Sequence, residues 1–248
     1  HVTDAFREDP VRILRVARFA ARFADFTVAP ETMALMREMV DAGEVDALVP
    51  ERVWQELARG LMEATPSRMF EVLQGCGALT RLLPEWPFTA ERQRVLDAAA
   101  QAAAPLAVRF ACLTRGMGPA VAALCERWRV PADERDLALL VDREGEAIDA
   151  ADGARHADAN ALVALLERSD ALRKPARFAE ALWACALASS PAAAPSQRLR
   201  TALAAAQAVA TEGVARMAQQ AGAKGPQIGE AVRAARVAAV AAALAPPA

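Results

Sequence analysis

Apolar residues recur along the chain at helical spacing, and proline and glycine cut the pattern into segments of helix length. The pattern predicts helices over approximately 6–24, 30–42, 50–63, 66–75, 88–103, 105–114, 119–129, 132–150, 158–170, 175–189, 196–210, 212–221 and 226–244. Ala29-Pro30-Glu31, Val49-Pro50-Glu51 and Thr65-Pro66 place proline near a first turn, where its missing N–H costs nothing and its fixed φ suits the helix. No fixed-period repeat is evident, so a regular solenoid is not indicated. The stretch from Ser189 to Ser196 is the best linker candidate.

Composition sharpens this picture. Alanine, the best helix former, supplies 64 of the 248 residues. Isoleucine occurs three times, at Ile13, Ile148 and Ile228, and tyrosine never, so residues that fill strands are scarce. The expected fold is all-α, a multi-helix assembly with no sizeable sheet. The four cysteines (Cys76, Cys112, Cys125 and Cys185) lie far apart without a C-x-x-C spacing, which predicts buried free thiols in a reducing cytoplasm. With His1 and His156 the sole histidines, a zinc site is not expected, and His156 reads as a loop or cap residue. No segment is long and apolar enough to read as a membrane span, nor does the start read as a signal peptide. Trp54, Trp86, Trp128 and Trp183 are spread like core anchors.

Charge is balanced, with 29 basic and 31 acidic residues, which excludes a globally basic nucleic-acid binder but not a local basic patch. Residues 195–248 carry a net charge of +4 from Arg198, Arg200, Arg216, Lys224, Arg233 and Arg236 against Glu212 and Glu230, with no aromatic residue. Such a segment can grip phosphates but cannot stack splayed bases, and on charge alone a solvated helical face is the favoured reading.

The most informative stretch runs from Glu8-Asp9-Pro10 through Arg12, Arg15 and Arg18 to Phe23. At about 100° per residue, Asp9, Arg12, Arg15 and Arg18 sweep half of the helix circumference. Val16 and Phe19 project into the same arc, so some guanidiniums are expected in a cleft. Asp9 offers only acceptors and Arg12 a planar fork of donors. Cytosine and adenine both present an amino donor beside a ring-nitrogen acceptor, whereas guanine and uracil present the reverse order. An Asp/Arg pair at i, i+3 therefore complements C and A, leaving Arg15 and Arg18 for triphosphate or ribose oxygens. The alternative is an Asp9 N-cap with arginines paired to carboxylates elsewhere, and spacing alone leaves both readings open.

At these residues the sequence resembles the class II tRNA nucleotidyltransferases, or CCA-adding enzymes, of the bacterial multifunctional type. Asp9 and Arg12 fall on that family's E-D-x-x-R element, which templates incoming CTP or ATP, and Arg15 and Arg18 match further nucleotide-contacting arginines. Leu48 to Glu56 resembles the next neck motif, and Gly75 to Leu79 with Leu82 to Glu85 resembles the entry into the body. Gly222 to Pro226 with Ile228, Glu230, Ala231, Arg233 and Arg236 resembles the tail. The resemblance implies a neck over 1–85 for base recognition, a helical body over 86–194 and a tRNA-binding tail over 195–248. It also implies a cytoplasmic enzyme that adds CCA to the tRNA 3′ end from CTP and ATP, with Lys224, Arg233 and Arg236 as tRNA phosphate contacts.

Two departures qualify the resemblance. The chain starts with His1, where the family's mixed α/β head would just have ended, so the head with its Mg²⁺-binding carboxylates is expected to be missing and this chain alone to be inactive. Arg115 and Gly116 stand where the multifunctional type carries the His-Asp metal doublet of its phosphohydrolase body, so no catalytic or metal-binding residue is assigned here. Arg52 either touches the nucleotide cleft or forms a salt bridge to Glu56 one turn on, and the structural reading is favoured. The competing readings are the C-terminal region of a bacterial poly(A) polymerase, which shares the neck, and a non-catalytic helical RNA-binding module.

Overall fold

Proline sets the start of one helix after another. Pro30, Pro50, Pro175 and Pro226 are the first residues of α2 (Pro30–Asp41), α3 (Pro50–Leu61), α11 (Pro175–Ser189) and α14 (Pro226–Ala243). Pro10, Pro66, Pro105 and Pro119 occupy the position just before α1 (Val11–Arg22), α4 (Ser67–Gly75), α7 (Leu106–Thr114) and α8 (Ala120–Arg127). The remaining helices are α5 (Ala78–Leu82), α6 (Ala90–Gln101), α9 (Ala132–Gly153), α10 (Ala159–Arg168), α12 (Gln197–Gln207) and α13 (Thr211–Gln220). The computed structural model describes residues 4–84, 86–87, 89–153, 158–190 and 193–245. His1 and His156 lie outside the described residues, as does Glu85 of the neck-to-body motif. Among the described residues there is no strand, as the all-α expectation required.

Helix limits agree with the sequence to within a few residues, with one correction. The expected helix over 6–24 is divided at Pro10: Asp4–Glu8 forms a 3₁₀ turn, and the α-helix begins only at Val11. The chain also forms two compact units, one of residues 1–143 with 187–193 and the other of residues 144–186 with 194–248.

In the first unit α1 packs on α3 and α4. Ile13, Leu14, Ala17, Ala20 and Ala21 of α1 are buried, and the small alanines let neighbouring backbones approach. Gly60 of α3 makes a similar concession, because a Cβ there would stand 2.1 Å from Met69 Sδ of α4. The core continues through Trp54 against Phe110, edge to face at 5.1 Å, and Phe70 against Trp86 at 4.8 Å. Trp54, Trp86 and Trp128 are buried as expected of anchors, while Trp183 in the second unit is half-buried.

Two polar fixtures lock this unit. Asp97 of α6 accepts from the N–H and the hydroxyl of Ser67, at 3.0 and 2.7 Å, and so closes the first turn of α4. Arg109 of α7 is buried and donates to the carbonyls of Ala104 and Leu61, both at 2.7 Å, and of Glu63 at 3.3 Å, thereby holding the end of α3.

The second unit is built around α14, which packs on α10, α12 and α13. Leu199, Ala202, Ala206 and Val240 are buried there. Asp158 and Ser196 cap α10 and α12 by accepting from the N–H groups of Asn160 and Leu199. The buried Glu144 carboxylate accepts from Arg168 at 3.0 Å. α13 buries no residue, and its Met217 is exposed. All four cysteines are buried.

Candidate nucleotide-recognition site

Burial of the apolar stripe of α1 turns its arginines toward α3. Beginning at its first turn, α3 carries Arg52, Glu56 and Arg59, and Glu63 follows just beyond its end. These spacings of four, three and four keep the side chains on one stripe. Pairs form in the same order along both helices, so α1 and α3 run side by side in the same direction. Arg52 Nη2 donates to Asp9 Oδ2 at 2.7 Å. Glu56 accepts from Arg15 Nε at 3.3 Å and from Arg18 Nε at 2.8 Å, with Arg59 Nη1 at 3.7 Å. Glu63 Oε1 lies 3.5 Å from Arg18 Nη1.

Glu56 is the keystone of this ladder. Its side chain is 4% exposed, and a carboxylate so far from water is tolerable only with its charge and lone pairs matched. Arg18, at 13% exposure, supplies most of the match, while Arg15 stays 49% exposed. The Arg18 guanidinium also lies 4.6 Å from the centroid of the Phe19 ring.

Asp9 and Arg12 sit at the exposed end of the ladder. Asp9 Oδ1 accepts from the Val11 N–H at 3.1 Å, which completes the turn into α1. The Arg52 hydrogen bond, helped by the Val11 N–H and by the charges of Arg52 and Arg12, holds the Asp9 carboxyl below its ordinary value of 3.8 against partial burial. Arg12 is part-exposed, with the Glu8 carboxylate 3.9 Å away. Asp9 thus completes the helix entry and accepts one hydrogen bond on each oxygen, with Arg12 one turn on. The arc shared with large apolar groups resolves differently from the expected cleft. Phe19 is exposed and joins Phe23 and Phe26 around an apolar hollow of about 330 Å³ that includes none of the ladder's charged groups.

Of the two sequence readings of Arg52, the favoured one, a pair with Glu56, is not formed, and Arg52 lies instead on Asp9; Arg59 and Glu63 are not singled out by the sequence. Glu56 is taken by α1, which frees Arg52 for Asp9, 43 residues away in sequence. The stripe spacing on α3 was the available signal.

The predicted tail residues are not brought to one point. Lys224 is exposed in the turn before α14, where its N–H donates to Gln227 Oε1 at 3.1 Å. Arg233 donates to Glu167 Oε2 of α10 at 3.1 Å, and Arg236 is half-buried. At Arg115-Gly116, Asp142 Oδ1 accepts from the N–H groups of Gly116 and Gly118, at 3.1 and 2.9 Å, and both glycines are in left-handed conformations. Among the described residues no group of three or more His, Cys, Asp or Glu is arranged to hold a metal ion. The Mg²⁺ that the resemblance implies thus has no fitting donor set among them. No helix among the described residues is long and apolar enough to cross a membrane.

Residues 25–89 match a family model described as a probable RNA and SrmB-binding site of polymerase A. The chain is 54% identical to the multifunctional CCA protein of Variovorax paradoxus (strain S110), across 98% of this chain and 67% of that protein. The chain spans about two thirds of the length of that relative. The fold matches a CCA-adding enzyme solved with CTP (TM-score 0.65, 16% identity, 95% of this chain and 56% of that one). It also matches the Thermotoga maritima CCA-adding enzyme solved with tRNA (TM-score 0.55, 17% identity, 94% and 57%). With more than half of its residues shared over that span, this chain belongs to the multifunctional CCA protein family of tRNA nucleotidyltransferases.

Proposed function

We propose that this chain is the base-selecting and tRNA-holding portion of an enzyme that builds the CCA end of tRNA from CTP and ATP. The observation that carries the reading is that Asp9, held by Arg52 and the Val11 N–H, and the part-exposed Arg12 stand at one end of the ion-pair ladder between α1 and α3. Asp9 accepts the exocyclic amino group of cytosine or adenine, and Arg12 donates to the adjacent ring nitrogen. Guanine or uracil would face Asp9 with a carbonyl oxygen and Arg12 with a ring N–H, leaving groups unpaired at about 1–3 kcal/mol each. Arg15 is left half-exposed for ribose or phosphate oxygens, and Arg18 serves chiefly to seat the helix through Glu56.

The tRNA 3′-hydroxyl attacks the α-phosphate of the selected nucleotide, and pyrophosphate leaves. The transfer chemistry and its Mg²⁺ are assigned to the part of the relatives' length that this chain does not match. The net-positive helical segment 195–248, with Lys224 exposed and Arg233 and Arg236 on α14, takes the phosphates of the tRNA. Four buried cysteines without a C-x-x-C spacing fit a cytoplasmic setting.

The test is a chimera in which this chain replaces the matching two thirds of the Variovorax paradoxus relative. Offered tRNA lacking its terminal nucleotides, it should add C, C and A and refuse UTP and GTP. Arg12→Ala should blur that choice while leaving tRNA affinity intact, and unchanged choice would overturn the assignment. The match over residues 25–89 to a model named for polymerase A favours a second reading, a poly(A) polymerase region. Long runs of A in the same assay would establish it.

A further inference from the structure

We infer that Arg52 is a positioning residue for base choice, holding the Asp9 carboxylate off Arg12 so that both stay open to the nucleobase. The inference rests on the Asp9–Arg12 reading above. Asp9 and Arg12 are three residues apart at the entry to α1, close enough for the carboxylate to close on the guanidinium. Such a closed pair would satisfy itself and offer a base nothing. Arg52 approaches from a different element, the first turn of α3, and takes one lone pair of Asp9 Oδ2 at 2.7 Å. The Val11 N–H takes one lone pair of Oδ1 at 3.1 Å, so the carboxylate is held at both oxygens, and each oxygen has a second lone pair that neither of these bonds uses.

The groups around Asp9 support this role. Arg52 from α3 and Arg12 from α1 are the facing cations, and Glu8 is the nearby carboxylate beside Arg12. Together the two arginines and the Val11 N–H keep Asp9 ionised, and an ionised carboxylate accepts an amino group but cannot donate to a carbonyl. Arg52 itself is not held by Glu56, whose oxygens are engaged by Arg15, Arg18 and Arg59. Arg52 therefore adds nothing to the buried part of the ladder. Its side chain is exposed, so its removal leaves the core intact.

The experiment measures kcat/KM for CTP, ATP, UTP and GTP in the chimera for Arg52→Gln, Arg52→Lys, Asp9→Asn and the Asp9→Asn/Arg52→Gln pair. A ratio between nucleotides on one preparation does not depend on the fraction folded, so a merely structural loss cancels. Arg52→Gln should lower the CTP-over-UTP and ATP-over-GTP ratios about tenfold, mainly through a raised KM for CTP and ATP, with KM for tRNA unchanged. Arg52→Lys should restore part of the ratio, and the double variant should be no worse than Asp9→Asn alone, because Arg52 acts through Asp9. If Asp9→Asn collapses the ratios and Arg52→Gln leaves them intact, or if the two changes add independently, the Arg52 inference fails and the Asp9–Arg12 reading stands. If Asp9→Asn itself leaves the ratios intact, the underlying reading fails.

Discussion

Replacing Glu56 by glutamine removes one charge from the ladder and almost no volume, so its cost isolates the electrostatics that seat α1 on α3. Breaking a buried pair costs about 3–5 kcal/mol when a charge is left stranded. Here the full penalty applies only to Arg18, since Arg15 and Arg59 are exposed enough to rehydrate, and Glu63 at 3.5 Å offers Arg18 partial compensation. The amide oxygen also keeps one acceptor. A loss of about 2–3 kcal/mol is expected, equivalent to a fall in melting temperature of about 4–12 °C for a chain of this size. Urea unfolding followed by tryptophan emission is the suitable assay, because Trp54, Trp86 and Trp128 all lie in the first unit. The control is Glu51→Gln, which breaks the exposed pair with Arg129 and should cost under about 1 kcal/mol. A Glu56→Gln loss no larger than the control would refute the keystone role.

Other outcomes follow from the same packing. Arg109→Met should cost about 3 kcal/mol or more by stranding the Leu61 and Ala104 carbonyls, and Arg109→Lys should rescue little because one ammonium cannot replace the fork; equal stability of Lys and wild type would count against this. Gly60→Ala should destabilise by about 1–3 kcal/mol, since the new methyl collides with Met69, and Met69→Ala in the same chain should recover part of that loss, both read by thermal melting. Burial pushes the Cys125 thiol up to about 11, above its unfolded value near 9. The folded form is thus the protonated one, and its stabilising contribution, full below pH 9, is lost as pH rises from 9 toward 11. A Cys125→Ala variant should show a shallower decline in stability over that window, and parallel declines would contradict the shift.

Much of this fold is legible in the sequence because its signals are local. Proline at helix starts and alanine in helix interiors fix most boundaries, as at Pro30 and Pro175, without reference to distant residues. The elements that sequence reasoning missed, the 3₁₀ turn Glu44–Ala47 and the five-residue α5, are too short to display a period. The split at Pro10 was readable in principle, since proline marks where the α-helix begins. The candidate site is legible in part. The choice of Asp9 and Arg12 as base-facing groups comes from the family resemblance, while the shared arc of Asp9 and the arginines follows from spacing. Their partners do not, because Glu56 lies 38 residues from Arg18 and Asp9 lies 43 from Arg52, and a nearer i, i+4 pairing competes on paper. Burial decides that competition. Once α1 turns its apolar stripe inward, Arg15 and Arg18 come within 3.3 and 2.8 Å of the buried Glu56 carboxylate. Arg233 makes the same point in the tail, where its partner Glu167 is 66 residues distant.

The most direct measurement is a crystal structure of the chimera with CTP bound. The account predicts the cytosine amino group within hydrogen-bond distance of the Asp9 carboxylate, the ring nitrogen facing Arg12, and Arg52 still on Asp9. A cytosine seated elsewhere, with Asp9 and Arg12 paired to each other or to solvent, would contradict it.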